Sequence, residues 1–303
     1  MQNVKVNCIL ISTIMLWASA FVGIRIALAG YSPGALALLR YVVASLCLAM
    51  IYHMQDIKKR MPWRDRVRLL LAGMAGIGIY NICLNYGEVS VSAGIASFII
   101  GMMPVMTVLL SILFLGERIQ RGIWVGIVTS ILGLLILTLG ESAHVAMRHG
   151  ILLILISTFC GSVLNILQKQ FLQQYHPIAI ISWVIWGGTL LLLMFLPQLI
   201  QDLKTADVIS TTAVIYMGIF PAALAYLAWG YVLKSLSAST AATSLYALPL
   251  MSTLLGFVLL HEKPSVISLI GGGIALLGAL IANRAQGKYA RLNVLSNEKV
   301  VAV

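Results

Sequence analysis

The 303 residues are 60% apolar and 10% charged, with 20 Lys+Arg against 9 Asp+Glu. Soluble domains run at about 45–50% apolar and about 25% charged, and a mean hydropathy of +0.99 cannot be hidden in one core. Composition therefore excludes a cytosolic enzyme, a secreted disulfide scaffold and a disordered chain, and leaves a polytopic membrane protein.

A bilayer core needs about 20 apolar residues per helix, and ten such runs can be marked in chain order: 6–28, 34–54, 67–86, 92–115, 121–139, 150–170, 177–199, 209–233, 238–260 and 264–284. The first carries Lys5 and Ala18-Ser19-Ala20, which imitate a cleaved signal peptide, but hydrophobicity continues through Ile24 and an uncleaved helix is expected. Between spans two and three lies the densest basic stretch, Lys58 to Arg68. With that loop inside, Lys5, Arg118, Arg121, Lys169, Lys234 and the basic tail residues are inside too, and only Arg148, Lys204 and Lys263 are outside. By the positive-inside rule both termini are cytoplasmic, in a plasma (inner) membrane. The net charge of +11 is thus topological, and a nucleic-acid partner is not expected.

The chain repeats itself. Displaced by about 145 residues, Pro104 falls on Pro249, Glu117 on Glu262, Gly126 on Gly271 and Gly133 on Gly278. Near 144, Tyr31-Ser32-Pro33 meets Tyr175-His176-Pro177. Each half holds five spans, an odd number, so the second half must enter the membrane inverted, as in secondary transporters. The expected units are a first repeat over 1–142, a second over 143–290, and a cytoplasmic tail over 291–303.

The segment Pro104-Val105-Met106 through Gly116-Glu117-Arg118, then Trp124, Gly126 and Gly133, resembles the EamA repeat of the drug/metabolite transporter (DMT) superfamily, and Pro249 to Glu262, Gly271 and Gly278 resembles it again. Arg25 and Arg40 fit the basic positions of its first two helices. A departure is His261-Glu262-Lys263-Pro264, where the pattern has Gly-Glu. The resemblance implies an all-α membrane fold of ten helices and a central cavity enclosed by spans one, three, four, six, eight and nine, with the others peripheral. It also implies transport of small metabolites, often amino-acid export.

Four kinds of residue bear on the chemistry. Pro104 and Pro249 fall within spans four and nine, where each frees a carbonyl, and they are expected as hinges or gates; a packing kink is the alternative. Polar stripes at helical spacing, Asn81-Asn85-Glu88 in span three and Ser157-Gly161-Asn165-Gln168 in span six, mark a solvated path or interhelical hydrogen bonds. Ser97 in span four is counted with them. Trp17, Phe21, Tyr80, Tyr226, Trp229 and Tyr246 suit an aromatic cavity wall, whereas Tyr31, Tyr52, Trp63, Tyr175 and Trp124 are assigned to the membrane interface. Among the charges, Arg25 suits attraction of a carboxylate, while Arg40 is weighted towards a structural role. Glu117 and Glu262 are expected to fix the turns after spans four and nine, and Glu88 is the single candidate for proton coupling.

No deep Ser-His pair, no paired acids and no GxxxxGK[ST] loop supports an enzyme or an ATP-driven pump, and neither a cofactor nor a metal is called for. The expected function is secondary transport of a small solute, an amino acid or similar amphipathic metabolite, by alternating access. The alternatives are a multidrug or nucleotide- or phosphate-linked solute transporter and a lipid scramblase. Gly122, Gly126, Gly271, Gly272 and Gly273 allow close helix contacts, within one chain or in a homodimer.

Overall fold

The computed structural model describes residues 2–55, 61–107, 110, 121–141, 145–235 and 245–301. These residues are helical and contain no strand. The helices are α1 (Gln2–Ala27), α2 (Pro33–Met54), α3 (Trp63–Glu88), α4 (Ala93–Thr107), α5 (Arg121–Glu141), α6 (Val145–Leu172), α7 (Pro177–Thr205), α8 (Val208–Val232), α9 (Ala247–Leu260) and α10 (Val266–Val301). Among the described residues six helices, α1 to α3 and α6 to α8, are long and apolar enough to cross a membrane; α4, α5, α9 and α10 contribute shorter apolar stretches.

Local chemistry sets the helix ends. Pro33 and Pro177 each open a helix after an extended residue, Ser32 or His176, where a missing N–H costs nothing. Ser92 caps α4. The last residue of α9 is followed by His261 at φ 55°, the left-handed conformation for which the motif supplies glycine, so the turn keeps its shape with a histidine. At the start of α8 the Asp207 carboxylate accepts the N–H groups of Ile209 and Ser210 at 3.2 and 3.3 Å. The Ser210 side chain and these amides hold the Asp207 carboxyl below its usual value. Its folded-state value is below its unfolded one, so this stabilisation is full above about pH 4 and disappears as pH falls through the folded value. Asp207→Ala should therefore lower the melting temperature at neutral pH, and the gap to wild type should close in acid.

The helices pack in a reciprocal scheme: α5 on α10, α2 on α7, α4 on α9, α3 on α6 and α7, α1 on α8 and α9, and α8 on α2. Two tyrosines tie the connections. Tyr31 shares a 2.8 Å hydrogen bond with Thr211 in the first turn of α8, and Tyr175 donates at 2.6 Å to Asp65 in the first turn of α3. The Tyr175 hydroxyl is held above its usual value, first by that hydrogen bond. Tyr31, assigned from sequence to the interface, is instead 3% exposed and spent on this tie, whereas Trp63 and Trp124 do face outward.

The glycines answer a question composition left open. A Cβ on Gly126 would meet Gly278 O at 2.6 Å, and one on Gly133 would meet Gly271 O at 2.7 Å. Gly122 lies against Ala285 and Gly272 against Phe98, so these small residues close α5, α10 and α4 within one chain. Among the described residues, Gly273 alone of the five meets nothing within 4 Å. The opposite faces carry Leu46, Met50, Leu71, Val128, Leu250 and Val258, all exposed, as a lipid-facing surface requires.

Two helices change pitch at matching places. Residues Met74–Ile79 of α3 and Phe220–Leu224 of α8 are π-helical, about 145 residues apart. Glycines 76 and 78 accommodate the first, and Pro221 the second.

Candidate functional site

A cavity of about 110 Å³ lies between α1, α2, α3, α4, α6, α8 and the start of α9. The first π-helical segment borders it through Gly76, and the second lies against its lining residue Trp17. Widening the turn frees main-chain carbonyls, and the Pro221 carbonyl is taken by the indole N–H of Trp17 at 3.2 Å. Trp17 also packs edge-on to Tyr226, with ring centroids 5.4 Å apart, and tilted against Trp229 at 5.2 Å. Across the cavity, Gly161 makes room for Tyr80, whose ring lies 3.2 Å from where a Cβ would stand. Asn165 stands above Met103, its amide 3.2 Å from the sulfur. These are rigid aromatic surfaces with few polar groups, the composition of a site for a small amphipathic molecule.

The cavity's one charged lining residue among those described is Arg40. It is 4% exposed, stacks over the Tyr41 ring at 5.5 Å, and its Nε and Nη1 have no hydrogen-bond partner among the described residues. From sequence, span two is expected to be peripheral, and Arg40 is weighted towards a structural role with binding of an anionic group as the alternative. The structure places α2 otherwise: it packs directly on the π-helical segment of α8 and on α3, which brings Arg40 and Tyr41 to the cavity wall. The available signal was the expense of an arginine in mid-span.

At one end of the bundle a second cluster closes α1, α3, α4 and α9 together. Arg25 donates through Nε to Glu262 Oε1 at 3.0 Å and through Nη1 to the Glu88 carbonyl at 2.6 Å. The other Glu262 oxygen accepts the Ala93 N–H at the start of α4, at 3.0 Å. Glu262 thus does more than shape a turn; it links three helices. Glu117 lies outside the described residues.

Of the residues singled out from sequence, Trp17, Phe21, Tyr80, Asn165, Tyr226 and Trp229 come together around the cavity, with Gly161 and Gln168 of the span-six stripe. The others are placed elsewhere. Asn81 is fully buried and donates to the Tyr41 hydroxyl at 2.9 Å and to Ile77 O. Asn85 donates to Pro33 O at 3.1 Å, Ser157 to Tyr80 O at 2.9 Å, and Ser97 to Gly94 O at 2.6 Å. Tyr246 is buried between the lining residues Leu245 and Leu248, and Arg25 is engaged in the end cluster. Pro104 and Pro249 each stand in the first turn of a helical stretch that follows a break, at residues 101–102 and 245–246. A Cβ on Gly101 would touch Pro249 at 3.1 Å, so the two breaks face each other. Among the described residues no group of three His, Cys, Asp or Glu is placed to hold a metal ion.

The EamA-like transporter family matches this chain twice, over residues 4–139 and 148–284. Transporter YdfC of Bacillus subtilis is 35% identical over 87% of this chain and 86% of its own. The "Probable terminal-alkyne amino-acid exporter" of Streptantibioticus cattleyicolor is 33% identical over 91% of this chain and 92% of its own. The "Probable amino-acid metabolite efflux pump" of Salmonella typhimurium is 25% identical over 88% and 91%. A crystal structure with a TM-score of 0.65, 20% identical and covering 92% of this chain and 98% of that one, shares the fold. Doubled motif, apolar helices and relatives agree: the chain is a multi-pass membrane protein, not an enzyme, and it belongs to the EamA-like transporter family.

Proposed function

We propose that the protein is a secondary transporter that exports an amino acid or a similar carboxylate-bearing amphipathic metabolite by alternating access. The observation that carries this reading is Arg40: a buried guanidinium with two unpaired nitrogens, set in an aromatic wall. A carboxylate would complete its hydrogen bonds, and Trp17, Tyr80 and Tyr226 would cover the apolar part of the solute. A phosphate- or nucleotide-linked solute wants more cationic groups than this one. The names of the Streptantibioticus and Salmonella relatives point the same way.

Ten membrane spans in two inverted repeats, 1–142 and 143–290, suit the packing scheme: adding five to each helix number turns α3 on α6 into α8 on α1, and α3 on α7 into α8 on α2. The same operation exchanges the Gly126–Gly278 and Gly133–Gly271 contacts, and Tyr31–Thr211 corresponds to Tyr175–Asp65. In this reading both termini are cytoplasmic in the plasma membrane, the Arg25–Glu262 cluster closes the outer end, and the breaks before Pro104 and Pro249 are the joints of the two gates.

The test is efflux from proteoliposomes. Radiolabelled amino acids are expected to leave, their amino-alcohol counterparts to stay, and Trp17→Ala to slow efflux by about tenfold. Equal movement of acids and alcohols, or none from folded protein, would overturn the assignment.

A further inference from the structure

Glu88, at the end of α3, is fully buried, and neither carboxyl oxygen has a hydrogen-bond partner among the described residues. Its neighbour Arg25 donates to the main-chain carbonyls of Glu88 and Val89 and gives its side-chain bond to Glu262. One guanidinium thus stands between two acids and serves the carboxylate of one of them. The groups that face Glu88 are Arg25 from α1, Arg40 from α2 and Glu262 from the end of α9. Where α6 packs along this helix its ionisable side chains among those described are Arg148 and His149, both exposed, and Cys160, which faces Cys83 further along the helix. From α4 comes the Ala93 N–H, already taken by Glu262.

An ionised carboxylate without water, cation contact or hydrogen bond is expensive; a protonated carboxyl is far less so. One helical turn earlier, on the same face, the buried Asn85 Oδ1 also lacks a donor among the described residues. A carboxyl O–H is a donor of the kind that side chain wants. Two guanidinium groups act against a metal cation in the same place.

We propose that Glu88 is a proton-binding site that controls the Arg25–Glu262 bridge. With its proton, Glu88 leaves Arg25 to Glu262, the arrangement seen here. When the proton passes to water, the carboxylate draws the Arg25 guanidinium from Glu262, and the tie between α1, α4 and α9 loosens. The O–H is the one covalent bond that breaks, its proton going to water, and with it goes any hydrogen bond the carboxyl gave to Asn85 Oδ1. Its consequence for a transport cycle rests on the transport reading above; the protonation does not.

The experiment therefore uses no solute. Infrared difference spectra of the full chain in liposomes should show, near neutral pH, an un-ionised carboxyl band that is lost in Glu88→Gln and kept, displaced, in Glu88→Asp. Spin labels are placed at the exposed Val89 and Lys263 after replacement of the four native cysteines. Their separation should lengthen as pH rises in wild type and stay short in Glu88→Gln. No band lost with Glu88→Gln, or the same lengthening in that variant, would overturn the proposal. So would a separation that answers to sodium at constant pH. A failed efflux assay leaves these readouts standing, and their failure leaves efflux standing.

Discussion

Arg40→Met should stop transport while making the protein harder to unfold. The guanidinium is buried with two donors unpaired among the described residues, and a buried charge with no partner carries a desolvation cost that an apolar side chain of similar reach does not, so the variant should be more stable. A solute carboxylate held by it would lose about 2–5 kcal/mol of binding, at least about thirtyfold in affinity. Thermal unfolding in detergent and efflux of labelled amino acids from proteoliposomes measure the two effects on one preparation. A residue present for folding would give the opposite stability change. A variant that transports normally would remove the carboxylate anchor from the proposed mechanism.

Gly133→Ala is expected to be among the most damaging small substitutions in the chain, and Gly273→Ala to be harmless or better. At Gly133 the added methyl runs into the main chain of α10 at Ala275 and stands 2.7 Å from Gly271 O. Backbone cannot rotate aside as a side chain can, so α5 and α10 must separate along their whole contact, at about 3 kcal/mol or more. The Gly273 position has no neighbour within 4 Å, and alanine there gains about 1 kcal/mol of helix propensity. Melting temperatures of the two variants should move in opposite directions. Similar destabilisation by both would mean that α10 tolerates no change for reasons other than this contact.

Apolar content made the membrane legible from sequence alone, because a bilayer and a soluble core demand different numbers of charges. Span positions followed from length: the second run, 34–54, coincides with Pro33–Met54, and the seventh begins at Pro177 in both descriptions. Boundaries failed where charge and helix part company. The α3 helix begins at Trp63 and carries Arg64, Asp65, Arg66 and Arg68 within it, residues that hydropathy had to count as loop. In the same way α10 continues past 284 to Val301. The π-helical turn at Met74–Ile79 has no proline to announce it, and nothing in a one-dimensional pattern distinguishes it from the α-helix around it.

What the sequence determined by itself was the solvent, the repeat and the family resemblance, since each depends on residue types and their spacing along one chain. The tertiary structure alone decided which of the chosen side chains share a space. Helices that are apolar all round give no periodic sign of their inner face, and a buried polar group reads the same in sequence whether it is satisfied or waiting for a ligand. Asn81 and Arg40 are both polar residues in mid-span. Only the packing of α2 on α3 and α8 shows that the first spends its amide nitrogen on Tyr41 and Ile77 and faces away from the cavity lining, while the second reaches that lining with donors unpaired among the described residues.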